Sequence, residues 1–164
     1  IQPYLEPGPL IEGFLFSKLS RSAAKFNDKE LLSINAKILH KLSFSEVKKR
    51  SGLEDLDGSF WRAVRPNISL LSELDVWYNI CYGNVNPIIE DKDFIKITHD
   101  LFPEGDVTEA TWSEWTMAIK EVTGAKGKEL FFPLRQALTG MDHGPEMRFL
   151  LPLMGAKKVR ERLS

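Results

Sequence analysis

Cations and aromatic side chains alternate in one short stretch of the second half of the chain. Within ten residues the sequence holds two lysines, two phenylalanines and an arginine: Lys126, Lys128, Phe131, Phe132 and Arg135. Ammonium groups bind phosphates, aromatic rings stack on unpaired bases, and a guanidinium group can do both. This interleaving indicates a surface for single-stranded RNA, although a basic segment is more often an ordinary solvated face.

Two of the four tryptophans fall on one predicted helical stripe. Trp112 and Trp115 lie three positions apart, as anchors of helix packing do. The alternative for the same pair is a platform on which bases stack.

Side chains suited to covalent or metal chemistry are few. Cys81 falls on the apolar face of a predicted helix, which favours a core thiol over a nucleophile. A single cysteine allows no internal disulfide and no four-cysteine metal site. The three histidines lie far apart in the sequence. Asp142 and His143 are neighbours in a predicted loop, where side chains usually point apart, so a turn is favoured over a direct contact with a ligand.

The sequence lacks the short motifs of common catalytic and membrane proteins. It has no glycine-rich phosphate loop, serine elbow or paired-histidine zinc helix. No apolar run approaches the roughly 20 residues that cross a bilayer, and no signal sequence opens the chain. With the single cysteine, these features favour a cytoplasmic protein. The chain opens at Ile1 without a methionine, which indicates a fragment of a longer protein or a processed one.

The formal net charge of −1 conceals a segregated distribution. Residues 1–50 carry a balance of +4, residues 51–83 one of −3, residues 84–114 one of −6 and residues 115–164 one of +4. A mean charge therefore says nothing about local partners. We expect the basic last part to face RNA and the acidic middle to face away from it.

Hydrophobic spacing of three and four residues predicts eight to ten short helices and no β-sheet. Asn27 and the pair Ser43 and Glu46 carry helix-capping patterns. The proline-rich start argues against an early helix. Phe94, Ile97 and Leu101 indicate a helix that stops before Pro103. Helix ends are expected at Gly83, Gly124 and Gly140, and helix starts at Thr108, Pro133 and Pro145.

The basic, aromatic stretch continues into a longer pattern. Residues 126–140 read KGKELFFPLRQALTG, and a Gly-Pro pair and a leucine-rich segment ending at Gly155 follow. This order resembles the signature near the end of bacterial glutamyl-tRNA synthetases, K-G-K-x-L-F-x-P-L-R-x-A-L-T-G. The front of the chain is similar as well. Leu19–Phe26 resembles the family's S-R-S-P-A-R-F segment, and Leu31–Lys37 resembles its L-x-x-L-N-x-K/R stretch.

The resemblance covers only the C-terminal part of that family. Lys18–Ser22 imitates the family's ATP-loop motif K-M-S-K-S, but Ala24–Phe26 belongs to a segment that the family places well after that loop. The resemblance thus implies an all-α chain without the nucleotide-binding fold, inactive alone. Residues 1–52 would end the stem-contact region, and residues 53–164 would form the helical anticodon-binding domain, with subdomains near 53–88 and 89–164.

The resemblance also assigns roles to single residues. It implies that Arg135 contacts anticodon bases and that a loop containing Gly144, Pro145 and Met147 packs on the first of those bases. Gly144 replaces the threonine of some members, so a hydroxyl contact is lost and a backbone contact remains. The third-base reader falls among the residues Arg62, Arg65 and Asn67. Lys126 and Lys128 would contribute salt-dependent phosphate contacts.

The implied parent is a class I glutamate–tRNA ligase that uses ATP and Mg²⁺ and acts as a monomer. The fragment itself would need no cofactor or metal. Its partner would be the glutamate tRNA, and also the glutamine tRNA if Asn67 relaxes discrimination. Two alternatives stand beside this one. A helical module could bind a protein through its tryptophan stripe, and a small complete enzyme would require a true ATP loop at Lys18–Ser22.

Overall fold

The computed structural model describes residues 4–20, 22 and 27–164. Arg21 and residues 23–26, on which part of the family resemblance at the front depends, lie outside the described residues. The described parts contain nine α-helices and no strand, which confirms the all-α expectation. The helices are α1 Gly8–Glu12, α2 Asp28–Leu39, α3 Phe44–Ser51, α4 Gly58–Val64, α5 Glu73–Tyr82, α6 Lys92–Asp100, α7 Thr111–Thr123, α8 Lys128–Thr139 and α9 Met147–Leu163, with 3₁₀ turns at Phe16–Lys18 and Arg65–Asn67.

Several helix ends form where the sequence predicts them. The Asn27 side chain accepts a hydrogen bond from the amide of Lys29, and Ser43 and Glu46 form a reciprocal capping box. Those hydrogen bonds stabilise the carboxylate, so they hold the pKa of Glu46 below its ordinary value. Gly124 and Gly140 end α7 and α8 with φ of 73° and 69°, in the left-handed region that glycine adopts without strain.

The expectation of no early helix is wrong, and so are two of the predicted helix starts. Helix α1 forms despite its prolines because Pro9 lies in the first turn, where no amide hydrogen is needed. Pro133 lies inside α8 rather than at its start. The cap of α7 is Ala110, while the amide of Thr108 donates to the Thr111 hydroxyl. The last start is shifted only slightly, since Glu146 precedes α9 where Pro145 was expected.

Helix α6 forms where Phe94, Ile97 and Leu101 indicated a helix, and it turns a polar side chain as well as apolar ones inward. Ile95 and Thr98 are buried, whereas Ile97 is exposed. The Thr98 hydroxyl donates to the Ile95 carbonyl, and its own carbonyl accepts from the Trp115 indole. A satisfied threonine therefore takes a core place that hydrophobic periodicity alone gives to an isoleucine.

Helix α9 lies at the centre of the molecule and packs against α4, α5, α6, α7 and α8. It bends at Gly155, whose φ of 73° and ψ of 162° interrupt the helical path. Beyond the bend, Arg162 is 4% exposed and donates to the carbonyls of Ile80 and Leu138 at 2.7 and 2.6 Å. These are the C-terminal turns of α5 and α8, so one side chain joins the ends of two helices.

The cations of this last segment mostly face the protein rather than solvent. Besides Arg162, Lys158 donates to the Gly83 carbonyl at 2.8 Å and Arg160 donates to the Phe102 carbonyl at 3.0 Å. Lys157, at 91% side-chain exposure, is the one that projects into solvent among these four described residues. The expectation that the basic last part faces RNA therefore does not extend to these three.

Candidate nucleic-acid interface

The two lysines predicted to contact phosphates lie at the start of α8. Lys126 and Lys128 are exposed on either side of Gly127, whose φ of 53° and ψ of −126° favour glycine. The Lys128 ammonium stands 5.0 Å from the ring centroid of Phe132. A mobile cation and an aromatic face thus lie side by side, as phosphate and base binding require.

Arg135 lies two turns further along α8 and is half-buried. Its Nη2 atom donates to the Pro145 carbonyl at 2.9 Å, which ties α8 to the loop before α9. Its Nη1 atom is buried without a hydrogen-bond partner among the described residues. Burial lowers the pKa of Arg135, yet a guanidinium group stays charged at physiological pH. An unpaired buried donor is costly, so Nη1 is the polar atom of this side chain whose hydrogen bonding is incomplete within the described residues.

The loop between α8 and α9 carries the other predicted contacts. Gly144 has φ of 134°, Pro145 is buried and Met147 is 4% exposed at the start of α9. The Thr139 hydroxyl accepts from the amide of Met141 at 3.1 Å, which fixes the first step of the loop. Gly144 and Pro145 therefore present backbone rather than long side chains.

Two neighbouring clefts share Arg135 and Phe131. The first, which we call the aromatic cleft, has a volume of about 270 Å³ and is lined by Trp112, Phe131, Arg135, Glu146, Met147 and Arg148. The second, the basic cleft, has a volume of about 220 Å³ and is lined by Gly127, Lys128, Phe131, Phe132, Arg135 and Asp142. Arg135 on α8 thus lies beside Met147 of α9 in the aromatic cleft and beside Lys128 of its own helix in the basic cleft.

Trp112 and Trp115, which lie three positions apart in the sequence, have different environments. Trp115 is 1% exposed and its indole donates to the Thr98 carbonyl at 2.8 Å, so it is a packing anchor. Trp112 is half-buried, with ring centroids 5.8 Å from Trp115 and 6.1 Å from Phe131. Trp112 packs on Trp115 and also lines the aromatic cleft, so base stacking stays a hypothesis for Trp112 alone.

The three candidates for the third-base reader lie elsewhere. Arg62 is exposed on α4 and forms an ion pair with Glu109 at 2.9 Å. Arg65 and Asn67 belong to the following 3₁₀ turn, where Arg65 is half-buried and Asn67 is exposed. None of the three lines the aromatic or the basic cleft.

The sequence predicts that the side chains of Asp142 and His143 point apart, but in the structure they contact each other. The His143 Nδ1 atom and an Asp142 carboxylate oxygen are hydrogen-bonded, and this contact lowers the pKa of Asp142. Both side chains are exposed, at 66% for Asp142 and 83% for His143. Exposed neighbours of this kind fit a loop contact better than a catalytic relay, which needs a third partner.

Sequence reasoning missed two cleft residues and one residue beneath the loop. Glu146 and Arg148 form an ion pair at 2.8 Å at the mouth of the aromatic cleft, and Arg148 also stacks on Phe149. Because Glu146 and Arg148 flank the predicted site residue Met147, the sequence offers a weak indication that they belong to the site. Trp77 contacts the loop from α5, and no local pattern could reveal it because 67 positions separate it from Gly144.

The part of the chain that the structure describes shows neither a metal-binding cluster nor a membrane-spanning helix. Within residues 4–20, 22 and 27–164, no three or more histidines, cysteines or carboxylates converge as a metal site would need. In the same part of the chain, every helix is too short or too polar to cross a membrane.

The known proteins that this chain is similar to are bacterial glutamate–tRNA ligases and an anticodon-binding family. Residues 86–164 match the family described as "Anticodon binding domain". The whole chain is similar to the "Glutamate--tRNA ligase 2" of Bartonella henselae, at 43% identity over 99% of this chain and 37% of the relative. It is also similar to the "Glutamate--tRNA ligase 1" of Maricaulis maris, at 41% identity over 100% of this chain and 37% of the relative. The chain therefore spans little more than a third of these relatives.

A solved structure shares the fold. The crystal structure of the glutamate-tRNA synthetase from Elizabethkingia anophelis superposes with a TM-score of 0.69. The match covers 94% of this chain and 34% of that one, at 16% identity. At this identity the likeness concerns the arrangement of the helices.

Proposed function

Since this chain is related along its length to the C-terminal region of bacterial glutamate–tRNA ligases, we propose that it is the part that recognises the tRNA anticodon. The observation that carries the proposal is the position of Arg135, which lines two clefts lined also by aromatic side chains and is held by the loop before α9. An anticodon loop presents unpaired bases whose edges accept hydrogen bonds and whose faces stack. A fixed guanidinium between aromatic walls matches both properties.

The surrounding residues divide the work by chemistry. Arg135 binds a base through the part of its guanidinium group that lines the clefts, and the backbone of Gly144 and Pro145 supports the first anticodon bases. Met147 supplies an apolar surface at the edge of the aromatic cleft. Lys126 and Lys128 bind backbone phosphates from the exposed start of α8.

A separate part of the chain recognises the third anticodon base. Arg62, Arg65 and Asn67 remain its candidates, and their distance from both clefts suits a base splayed away from the other two. Arg62 must leave Glu109 to take part, whereas Asn67 is exposed and forms no such ion pair. If Asn67 is the reader, the glutamine tRNA is accepted as well.

We extend the proposal to the larger enzyme. Residues 1–52 end its stem-contact region, residues 53–164 form the anticodon-binding domain with subdomains near 53–88 and 89–164, and the catalytic part lies outside these 164 residues. That enzyme attaches glutamate to tRNA in the cytoplasm as a monomer and uses ATP and Mg²⁺. The present chain holds the tRNA and supplies no catalytic group.

The test is a titration of the 164-residue chain with glutamate tRNA and with the same tRNA carrying an unrelated anticodon. We expect the first to bind more tightly, and Arg135→Ala to remove about 1–3 kcal/mol of its binding free energy. Lys157→Ala is the matched control, because it also deletes one positive charge but from an exposed site outside both clefts. Equal affinity of Arg135→Ala and the unmodified chain would contradict the proposed role of Arg135.

A further inference from the structure

The loop before α9 lies directly against a tryptophan from another helix. Gly144 has φ of 134°, and a Cβ atom at this position would stand 2.1 Å from Cη2 and 2.5 Å from Cζ2 of Trp77. Trp77 is on α5 and is 5% exposed, so its indole is enclosed by the core. The ring therefore occupies the space that any side chain at position 144 would need.

The next residue of the loop is held from a different helix. The Pro145 carbonyl accepts from Arg135 Nη2 on α8 at 2.9 Å, and the Pro145 ring is buried. Two consecutive residues are thus fixed by two helices, Gly144 by Trp77 and Pro145 by Arg135. Such double support limits the conformations that the backbone of this loop can adopt.

We infer that Trp77 is a positioning residue for anticodon recognition, through its ring contact with Gly144. This inference rests on the proposed function. Because Gly144 has no side chain to offer, the position of its backbone is what a base meets. The outer ring atoms of Trp77 set that position from beneath the loop, although Trp77 itself lines neither cleft.

The contact also explains why this chain has glycine where some members of the family have threonine. With Trp77 in place, a threonine at position 144 would place its Cβ atom inside the indole ring. A positive φ of 134° adds backbone strain for any residue except glycine. In this chain Trp77 and a side chain at position 144 exclude one another.

The first experiment removes only the atoms that meet the loop. Trp77→Phe deletes the outer ring carbons, and Trp61→Phe is the matched control because Trp61 is equally buried, at 4% exposure, on α4. The probes are an anticodon stem-loop RNA of the glutamate tRNA and a copy with its first anticodon base changed. We expect Trp77→Phe to lower the ratio of the two affinities about five-fold, the effect of losing one ordinary hydrogen bond. Trp61→Phe should leave this ratio unchanged.

A second pair of variants tests the same contact from the loop. Gly144→Ala introduces both strain and the clash with Trp77, whereas Gly124→Ala introduces strain alone, since nothing lies within 4 Å of its Cβ position. We expect only Gly144→Ala to lose the preference for the correct anticodon base. Adding Trp77→Phe to Gly144→Ala should recover part of that preference, because it relieves the clash.

The outcomes separate this inference from the proposed function. If the unmodified chain binds both RNAs equally, the proposed function fails. If it discriminates and Trp77→Phe keeps the full ratio, or if Trp61→Phe loses as much as Trp77→Phe, the positioning role of Trp77 is overturned. Circular dichroism at the assay temperature verifies that each variant is folded.

Discussion

Arg135 serves the fold and the site with one guanidinium group. Nη2 donates a hydrogen bond to the Pro145 carbonyl at 2.9 Å, while Nη1 is buried and has no hydrogen-bond partner among the described residues. The fixed bond orients the planar guanidinium group, so the part that lines the clefts has a defined direction before any ligand arrives. Little conformational entropy is then lost on binding, which a lysine at this position could not achieve.

Cys81 illustrates the opposite case, a reactive group that the fold makes inert. Burial raises its pKa to about 12, because the thiolate would lose its hydration inside the core. We expect iodoacetamide to leave Cys81 unmodified in the folded chain at pH about 8, since only the thiolate reacts. Reactivity should appear at higher pH or after unfolding. Mass spectrometry with and without denaturant measures this, and rapid modification in native buffer would contradict it.

At the scale of the helices, side-chain caps and glycine stops were predictable from the sequence, whereas the starts of α7 and α8 and the inward face of α6 were not. Capping patterns at Asn27 and Ser43 and the stop at Gly124 depend on a few neighbouring residues, so the sequence contains what is needed. The inward face of α6 depends on the Trp115 indole, which needs the Thr98 carbonyl as its acceptor. No hydrophobic pattern within α6 carries that information.

The candidate site divides in the same way. Arg135 and Lys128 share α8, and their cluster was predictable from spacing along one helix. Trp77 was not, because its contact with Gly144 joins α5 to a distant loop. Contacts of this kind depend on how the whole molecule packs, and they carry no local signature in the sequence.

Arg162 gives a prediction about how the helices are joined. Replacing it by methionine keeps most of the volume but leaves the buried carbonyls of Ile80 and Leu138 without their donor. We expect Arg162→Met to lower the free energy of unfolding by about 3–5 kcal/mol. Denaturant unfolding measures it. Lys157→Met, on the same helix but 91% exposed, should change the value by less than about 0.5 kcal/mol, and equal losses would refute the role of Arg162.

At the scale of the whole molecule, the position of the exposed cations matters more than the net charge. The net charge is −1, yet two exposed lysines flank the clefts that Arg135 lines. Three of the four cations near the end of α9 bind backbone carbonyls instead. The charge balance of residues 115–164 therefore overstates what this part offers to a polyanion.

The salt dependence of RNA binding tests this arrangement. Replacing Lys126 and Lys128 together by glutamine should weaken binding at low salt and flatten the plot of log affinity against log salt by about 0.7 for each lost phosphate contact. Preference among anticodons should change little, because phosphates carry no sequence information. The control is Lys92→Gln with Lys96→Gln, an equal charge change on α6. If both double variants changed the salt dependence equally, Lys126 and Lys128 would contribute only non-specific electrostatic attraction.

The central place of α9 has a consequence for the order of events during synthesis. Residues 147–163 leave the ribosome after every helix that they pack against, from α4 to α8. Until then, the faces that those five helices turn toward α9 stay uncovered, although some of the helices already pack against one another, so this part of the chain cannot complete its fold as it emerges. The packing around α9 is therefore completed only after residues 147–163 have been made.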